Sequence, residues 1–307
     1  MRVAVCVITF RRCAELRRLL DSVAALHFQK SAPEVSVLIV DNDPKGSARG
    51  VADEMAATFP FELIYGIEPT RGISSARNRA VAMAAAADFV AFVDDDETVC
   101  PGWLEQLLME QSSSAADVVM GPVQPLFVLP PPEWIARGGF FVKDYKKFGK
   151  IDENYGSTAN ILIRRSCLDR LNEPFAIKFN LTGGADYHLL LKLKRMGAKI
   201  SWATKALLTD HVNPCRTNAR WILKRRFRVG TTIAMAERLL KPSWPIIRLF
   251  KGIFRILQGC ILLPVSLLRG KAGMVRTLGI ICFGCGILAG FCGYQYQAYG
   301  SRKNGHG

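Results

Sequence analysis

The sequence predicts an α/β protein with a mainly parallel sheet, and three observations support this prediction. Short apolar runs rich in β-branched residues recur along the first third of the chain. Amphipathic helical patterns separate them, and polar or acidic residues follow the strongest runs. The runs cover Val3–Phe10, Val35–Val40, Phe61–Tyr65 and Phe89–Val93, and the helical stretches cover Ala14–His27, Ser47–Thr58 and Ser74–Ala87. This alternation is typical of βαβ units.

Each of these elements has a local cause. Val3–Phe10 has no charged residue, as expected of a strand that is covered on both faces. Ala14–His27 places leucine and valine at helical spacing, with charged residues opposite. Ser74–Ala87 is rich in alanine, the best helix former. Phe89–Val93 is wholly apolar and leads directly into four consecutive acidic residues at 94–97.

The second half of the chain is less regular. We expect a strand at Thr158–Ile163, a helix at Ala185–Met196 and a strand-like run at Ser201–Asp210. Five of the fifteen prolines fall between residues 122 and 132, which predicts a rigid crossing between two halves. A loop rich in glycine and lysine follows at 138–150.

Composition and charge limit the class of protein. Half of the 307 residues are apolar, which excludes a disordered chain, and the absence of low-complexity tracts excludes a fibre. The stretch from Arg216 to Arg276 supplies +13 of the net charge of +15. Because apolar segments lie within and after this basic stretch, we expect an anionic membrane surface as its partner, and no nucleic acid.

Two long apolar segments, Ile246–Leu268 and Leu278–Tyr296, lie near the C-terminus and are joined by the basic stretch Arg269–Arg276. About twenty apolar residues are enough to cross a bilayer. Charged residues in the first segment favour an interfacial or re-entrant helix, and we expect the second to insert more deeply. A pair of buried core helices is the alternative.

The cysteines and the N-terminus bear on the cellular compartment. Nine cysteines are an odd number, and the one CxxC pair, Cys282–Cys285, has no second pair or histidine to complete a metal site. The first twelve residues do not form a secretory signal. We therefore expect the folded part to lie in the reducing cytoplasm.

The ends of the predicted strands carry the candidate chemistry. Ligands bind at the carboxyl ends of strands in open parallel sheets, which points to Thr9, Asp41 and the acidic run 94–97. Four adjacent acids repel one another unless a cation shares them, and oxygen ligands suit Mg²⁺ or Mn²⁺. A solvated acidic turn is the alternative. Residues 71–78, RGISSARN, open a helix, and a helix N-terminus attracts anions.

These motifs, in this order and spacing, resemble the family 2 inverting glycosyltransferases of the GT-A fold. The resemblance rests on Thr9, VLIVDN at 37–42, GISSARN at 72–78, FVDDDE at 92–97, GSTAN at 156–160 and TGGAD at 182–186. It covers about residues 1–230. Within the family, the sequence is similar to bacterial exopolysaccharide enzymes of the succinoglycan type. Those enzymes add a sugar to a lipid-linked oligosaccharide.

The resemblance implies a role for each matching residue in binding the donor. Thr9 and Asp41 match positions that contact uracil and ribose, and Arg77 lies at the nucleotide. Asp94 would face the ribose. Asp96 would reach the Mn²⁺ or Mg²⁺ ion that bridges the diphosphate of the leaving group.

Asp186 matches the catalytic base, which takes the proton from the acceptor hydroxyl. Position 185 is Ala, where the family pattern has Glu, and this departure leaves the acceptor contacts open. The alternative for Asp186 is a carboxylate that only stabilises the start of a helix. We expect catalysis, because Gly183 and Gly184 allow a ligand to approach the backbone closely.

Four further residues complete the implied site. His211 is a possible third metal ligand, with a structural histidine equally open. Asn160, Arg220 and Trp221 match positions near the acceptor and the diphosphate. Arg220 and Trp221 stand where processive synthases have QxxRW, and Thr217 in place of Gln favours single additions. A basic helix lying on lipid headgroups is the other interpretation of this stretch.

The resemblance thus implies three parts: a nucleotide-sugar-binding half at 1–121, an acceptor-binding half at 122–230, and membrane-associated helices at 231–307. We expect transfer of a hexose from a UDP-sugar, with UDP-glucose favoured, to a polyprenyl-diphosphate-linked oligosaccharide at the cytoplasmic face of the inner membrane. The alternatives are an inactive membrane-bound protein that binds nucleotide or glycan, and a sugar nucleotidyltransferase. The latter lacks a glycine-rich, lysine-containing loop after the first strand.

Overall fold

A seven-stranded, mainly parallel sheet forms the centre of the first part of the chain. The computed structural model describes residues 1–29, 32–142, 158–240 and 245–297. The strands are β1 (Arg2–Thr9), β2 (Glu34–Asp41), β3 (Glu62–Ile67), β4 (Phe89–Asp94), β5 (Glu97–Val99), β6 (Val118–Met120), β7 (Val123–Phe127), β8 (Asn160–Arg164), β9 (Ile200–Trp202) and β10 (Leu208–Val212). Their order in the large sheet is β3-β2-β1-β4-β8-β6-β9, and β5, β10 and β7 form a small second sheet.

Helices alternate with the strands as predicted. They are α1 (Cys13–Ala24), α2 (Arg49–Ala56), α3 (Ile73–Met83), α4 (Trp103–Ser114), α5 (Glu133–Gly138), α6 (Arg165–Asp169), α7 (Ala185–Arg195), α8 (Ala219–Leu240), α9 (Pro245–Leu268) and α10 (Gly270–Phe291). The apolar sides of α1 and α4 pack into one core with β1, β2 and β4, in which Leu16, Leu19 and Trp103 are fully buried.

The register of the central strands aligns the candidate residues at one edge of the sheet. Strand β1 pairs in parallel with β2, which sets Thr9 opposite Asp41. It also pairs in parallel with β4, which sets Ile8 opposite Asp94. Because all three strands end together, their last side chains and the loops that follow lie at the same carboxyl edge.

Some expectations from the sequence are wrong in detail. The proline-rich stretch 122–132 is not simply a crossing, because it contains β7, with Pro125 inside the strand. Strand β7 lies at the edge of the small sheet, where a proline is tolerated. The run 201–210 is interrupted: β9 belongs to the large sheet and β10 to the small one. His211 therefore lies within β10 and does not follow it.

The connection between the two apolar segments is also shorter than expected. Most of Arg269–Arg276 is helical, because α10 begins at Gly270. The greater part of the predicted loop 138–150 lies outside the described residues, as do Gly156 and Ser157.

The chain divides into two compact units. The first contains the described residues of 1–126, 143–180 and 189–211. The second contains the described residues of 127–142, 181–188 and 212–307. The large sheet and its helices belong to the first unit, and α8, α9 and α10 belong to the second.

Close backbone packing holds the helices of the second unit together. A Cβ atom on Gly286 would lie 2.1 Å from the carbonyl oxygen of Phe227 in α8, and one on Gly290 would lie 2.7 Å from that of Thr231. On the α9 side, a Cβ atom on Gly284 would lie 2.7 Å from the carbonyl oxygen of Gly252. Helix α10 thus packs against both neighbours through glycines.

Both C-terminal helices are long and apolar enough to cross a membrane, by length and composition alone. Their coverage differs. In the most apolar part of α9 only 17% of the residues are buried, against 44% in α10. The helix that we expected to insert more deeply is therefore the better covered one.

We predict that Gly286→Ala lowers the free energy of unfolding by about 1–3 kcal/mol, because the new methyl group collides with the backbone of α8. Gly279→Ala in the same helix is the matched control, since its Cβ would meet only the side chain of Arg226, at 3.4 Å. Thermal unfolding of both variants tests this. Equal melting temperatures would contradict the close packing.

Candidate active site

The acidic run at the end of β4 is paired with arginine side chains. Asp94 leaves 42% of its side chain exposed, and its carboxylate lies 3.3 Å from Nη2 of Arg77. Arg77 is buried in α3 and lies over the ring of Phe175. A buried guanidinium needs such a partner, because an unpaired buried charge is strongly destabilising.

Asp95 points the other way and is buried at the end of the neighbouring strand. Its carboxylate accepts a hydrogen bond from Oγ1 of Thr9 (2.9 Å) and from Nη1 of Arg12 (2.8 Å). Burial raises the pKa of Asp95 to about 6. The same nitrogen of Arg12 lies 3.3 Å from Asp96. The hydroxyl of Thr9 is thus bound to a carboxylate at this edge, and its predicted contact with the nucleotide stays a prediction.

Sequence reasoning did not single out Arg12. It precedes the first residue of α1 and pairs with two of the four acids. The signal that could have identified it is the pair Arg11-Arg12 directly after a strand end, opposite an acidic run. Arg11 also pairs with Asp43, in the loop after β2.

Asp41 lies at the end of β2 and is completely buried. Its carboxylate accepts hydrogen bonds from the backbone N–H groups of Asp43 (2.9 Å) and Ala48 (2.7 Å) and from the hydroxyls of Ser47 (3.3 Å) and Tyr65 (2.9 Å). These bonds fix the loop after β2. The predicted contact of Asp41 with a nucleoside stays a prediction.

Side-chain amides order the loop that leads into α3. Asn42 donates to the carbonyl oxygens of Glu68 and Thr70 and accepts from the N–H of Gly72 (2.7 Å). Gly72 has φ 144°, and a Cβ atom there would lie 2.2 Å from the side chain of Asn180. Only glycine fits this position.

The GISSARN motif holds a distant segment in place. Oδ1 of Asn180 accepts from the N–H of Ser75 (2.9 Å), so a residue far along the chain caps α3. Asn78 makes two hydrogen bonds to the backbone of Phe175. The segment 175–180 is therefore tied to α3 just before the chain reaches Leu181.

His211 lies beside the acidic run. Its backbone N–H donates to the carbonyl oxygen of Asp96 (3.4 Å), and its Nε2 lies 3.0 Å from Oγ1 of Thr98. Burial lowers the pKa of His211. A role as third metal ligand stays a prediction.

The carboxylates of Asp94 and Asp96 fit a Mg²⁺ or Mn²⁺ ion by their chemistry. Such an ion usually takes one or two carboxylates from the protein and completes its shell with water and substrate phosphates. Within the described ranges, no group of three or more His, Cys, Asp or Glu side chains is arranged to enclose a metal. The pair therefore suits an ion that is shared with a substrate.

Asn160 serves the packing of the first unit. It is buried, its Oδ1 accepts from Nε1 of Trp103 (2.8 Å), and its Nδ2 donates to the carbonyl oxygens of Pro122 and Ala206. These contacts give Asn160 a structural role. They lend no support to its predicted place near the acceptor, which remains untested.

The other candidates lie in the second unit. Asp186 occupies the first turn of α7, after Gly183 and Gly184, which have φ angles of 75° and 95°. A Cβ atom on Gly184 would lie 2.7 Å from the Cβ of Thr232. The close approach at this glycine is therefore made by α8, whereas we had expected a ligand.

Arg220 and Trp221 lie in the first turn of α8. Arg220 is exposed. The Trp221 ring stacks on Phe141 (5.7 Å between centroids) and lies under the guanidinium of Arg225 (5.2 Å).

The family model named Glycosyl transferase family 2 matches residues 4–171, more than half of the chain. The chain belongs to glycosyl transferase family 2. It is 29% identical to the succinoglycan biosynthesis protein ExoM of Rhizobium meliloti (strain 1021), over 99% of this chain and 97% of that protein. It is 25% identical to the glucosyl-dolichyl phosphate glucuronosyltransferase of Haloferax volcanii, over 74% of each chain.

Solved structures confirm the expected GT-A fold. S. aureus TarS 1-349 in complex with UDP superposes with a TM-score of 0.55 at 19% identity, covering 97% of this chain and 93% of that one. Mannosyltransferase PcManGT from Pyrobaculum calidifontis, in complex with GDP-Man and Mn²⁺, gives 0.64 at 16% identity, with 94% and 86% covered. The fold is thus that of a nucleotide-sugar transferase.

We predict that Asp41→Asn lowers the free energy of unfolding by about 2–3 kcal/mol, because an amide N–H then faces buried donors. Tyr65→Phe removes one donor only and should cost about 1 kcal/mol. Chemical denaturation of both variants measures this. An Asp41→Asn variant with wild-type stability and lost UDP binding would instead make Asp41 primarily a ligand-binding residue.

Proposed function

We propose that the protein transfers a hexose from a UDP-sugar, with UDP-glucose favoured, to a polyprenyl-diphosphate-linked oligosaccharide in the biosynthesis of an exopolysaccharide or another cell-surface glycan. The observation that carries this proposal is the acidic run at the carboxyl edge of the sheet, beside Thr9 and Arg77, in a family 2 glycosyltransferase. The name of the similar R. meliloti protein supports the pathway. The UDP complex of TarS supports the nucleotide.

The donor site follows from the charges at this edge. The leaving group is a nucleoside diphosphate, which carries negative charge that cations must offset. Asp94 and Asp96 would hold Mg²⁺ or Mn²⁺, which supplies electrostatic stabilisation of the departing diphosphate. A structural neighbour with GDP-Man and Mn²⁺ supports this assignment. Arg77 holds Asp94 in place through its ion pair.

Asp186 is the proposed base. An inverting transfer is a direct displacement at the anomeric carbon, and one carboxylate is enough to accept the proton of the attacking hydroxyl. It lies in the first turn of α7, at the positive end of the helix dipole. Ala185 beside it is fully buried, so it offers the acceptor no contact.

Membrane association completes the proposal, because a polyprenyl acceptor is presented at a bilayer. Large apolar side chains on α9 are exposed: Ile247, Phe250, Ile253, Phe254, Leu257, Ile261, Leu262, Val265, Leu267 and Leu268. Lys251 lies exposed on the same helix, and cations favour anionic lipids. We place the protein at the cytoplasmic face of the inner membrane, where the reducing environment keeps its nine free cysteines as thiols.

The test of the reaction is transfer of labelled glucose from UDP-glucose to a membrane lipid extract of the source organism. We expect transfer with Mn²⁺ or Mg²⁺ and none with EDTA. Asp186→Asn should lower the rate by about 10²–10⁴-fold, because the base is lost. The exposed Asp53→Asn is the matched control and should keep full activity.

The outcomes separate the alternatives. Full activity of Asp186→Asn would show that Asp186 is not the base. UDP binding without transfer from UDP-glucose, UDP-galactose or UDP-glucuronate would favour the inactive binding protein. Formation of UDP-glucose from UTP and glucose 1-phosphate would favour the nucleotidyltransferase.

Membrane binding is tested by flotation with vesicles of phosphatidylcholine alone or with added phosphatidylglycerol. We expect binding to the anionic vesicles, and at least tenfold weaker binding for Phe254→Gln/Leu257→Gln, because apolar contact with the bilayer is lost. Met109→Gln/Leu126→Gln, at exposed sites in the first unit, is the control. Unchanged flotation of the α9 variant would contradict membrane binding through α9.

A further inference from the structure

The second unit contains a cavity of about 150 Å³ between the end of α5, α8 and α10. Its lining includes Gly138, Phe140, Ile222, Arg226, Arg276 and Gly279. A cavity of about this size, open to the surface, has room for a phosphate group. None of the residues assigned to the donor site or to the transfer lines it.

The charge of the cavity favours an anion. Two of the residues that line it are arginines, Arg226 from α8 and Arg276 from α10, and none of its described lining residues is an aspartate or glutamate. Nη2 of Arg276 donates to the carbonyl oxygen of Gly138 (2.7 Å), which fixes the guanidinium at the wall. A guanidinium has five N–H donors and binds phosphate oxygens in pairs.

The rim of the cavity is aromatic and carries a third cation. Phe140 packs edge-to-face against Trp134 (5.6 Å between centroids), and Nζ of Lys271 lies 5.0 Å from the centre of the Trp134 ring. Arginine, lysine and aromatic side chains side by side are typical of the boundary between lipid headgroups and hydrocarbon.

The helices next to the cavity indicate that the anion belongs to a lipid. The exposed apolar side chains of α9 continue to Leu268, which is 88% exposed. Only Arg269 separates α9 from α10, and Arg276 lies in the second turn of α10. At 1.5 Å per helical residue, Arg276 is roughly 9 Å along α10 from its start. The cavity thus lies near the end of α10 that follows directly after the apolar surface of α9.

We propose that this cavity binds the phosphate group of a membrane lipid, with the hydrocarbon tail of that lipid on the side of α9. Two lipids present this chemistry: the polyprenyl diphosphate of the acceptor and an anionic phospholipid of the bilayer. In the first case the site anchors the acceptor, so that part of the inference rests on the proposed function. In the second the site fixes the protein on the membrane.

The experiment is calorimetric titration of the full-length protein in detergent, without nucleotide. The probes are farnesyl diphosphate, farnesol, dihexanoyl phosphatidylglycerol and dihexanoyl phosphatidylcholine. We expect saturable binding of farnesyl diphosphate or of the phosphatidylglycerol, and none of farnesol. Binding of the first alone identifies the acceptor diphosphate, and binding of the second alone identifies the phospholipid.

Two variants change the cavity in different ways. Arg226→Gln/Arg276→Gln removes the charge, and Gly279→Leu fills the space while the charge stays. Each should weaken the phosphate ligand at least tenfold. Lys224→Gln/Arg269→Gln removes the same charge from exposed positions that do not line the cavity and should change binding less than twofold. If the double arginine variant has a lower melting temperature than the wild type, the single variant Arg226→Gln is used in its place, because it keeps the hydrogen bond of Arg276 to Gly138.

Equal binding of farnesol and farnesyl diphosphate, wild-type affinity in both cavity variants, or no binding of either phosphate lipid by the wild type would overturn the proposal. Transfer activity is measured separately. An inactive transferase that still binds lipid phosphate through Arg226 and Arg276 would contradict the proposed function alone.

Discussion

The first unit depends on the compensation of a run of four acidic residues at the end of a buried strand. The run begins with Asp94, the last residue of β4, and ends with Glu97, the first residue of β5, and Asp95 and Glu97 are almost completely buried. Burial raises the pKa of Glu97 well above its usual value, which reflects the cost of a second buried negative charge there. Arg77, in α3, and Arg12, just before α1, supply the opposite charge. The same cluster is therefore a condition of folding, and it carries Asp94 and Asp96, the two carboxylates that we propose as metal ligands.

Around this cluster the loops are ordered mainly by side-chain amides. Asn42 fixes the entry to α3, Asn180 caps it, and Asn78 holds the backbone at Phe175. An amide can donate and accept at once, so one asparagine joins two backbone segments without adding charge. This explains how polar loops remain fixed next to a dense acidic run. It also explains why the side chains of the GISSARN motif are held in fixed positions: Ser75 and Asn78 bond to the segment 175–180, and Arg77 pairs with Asp94.

Much of the first unit could be predicted from the sequence, because its strands are apolar throughout and its helices have one apolar side. The βαβ pattern and the common edge for Thr9, Asp41 and Asp94 followed from these local signals, and the family followed from the resemblance of the motifs. The positions that the sequence did not reveal depend on contacts between distant residues. Arg12 and Asn180 acquire their roles from partners 83 and 105 positions away. Pro125 misled for the same reason, since its tolerance depends on the edge position of β7.

Asn160 shows that the place of a residue in the fold does not by itself give its role. It is the first residue of β8, which pairs with β4, and β4 leads into the acidic run. Its amide, however, makes hydrogen bonds with Trp103 and with two carbonyl groups. A motif position indicates where a residue lies in the family fold. Its contacts decide whether it is available to a ligand.

The C-terminal helices show what composition alone does not settle. Helix α10 has the higher mean hydropathy, 1.8 against 1.5 for α9, and its glycines are typical of membrane helices. Those glycines instead bring α10 into backbone contact with α8 and α9. Helix α9, although it carries Arg248, Lys251 and Arg255, presents most of its apolar side chains outward. Hydropathy measures how well a segment tolerates loss of water, and it does not say whether protein or lipid replaces that water. In this chain the glycines show that protein replaces the water on their side of α10, because a surface that admits a neighbouring backbone at van der Waals distance is already covered by protein.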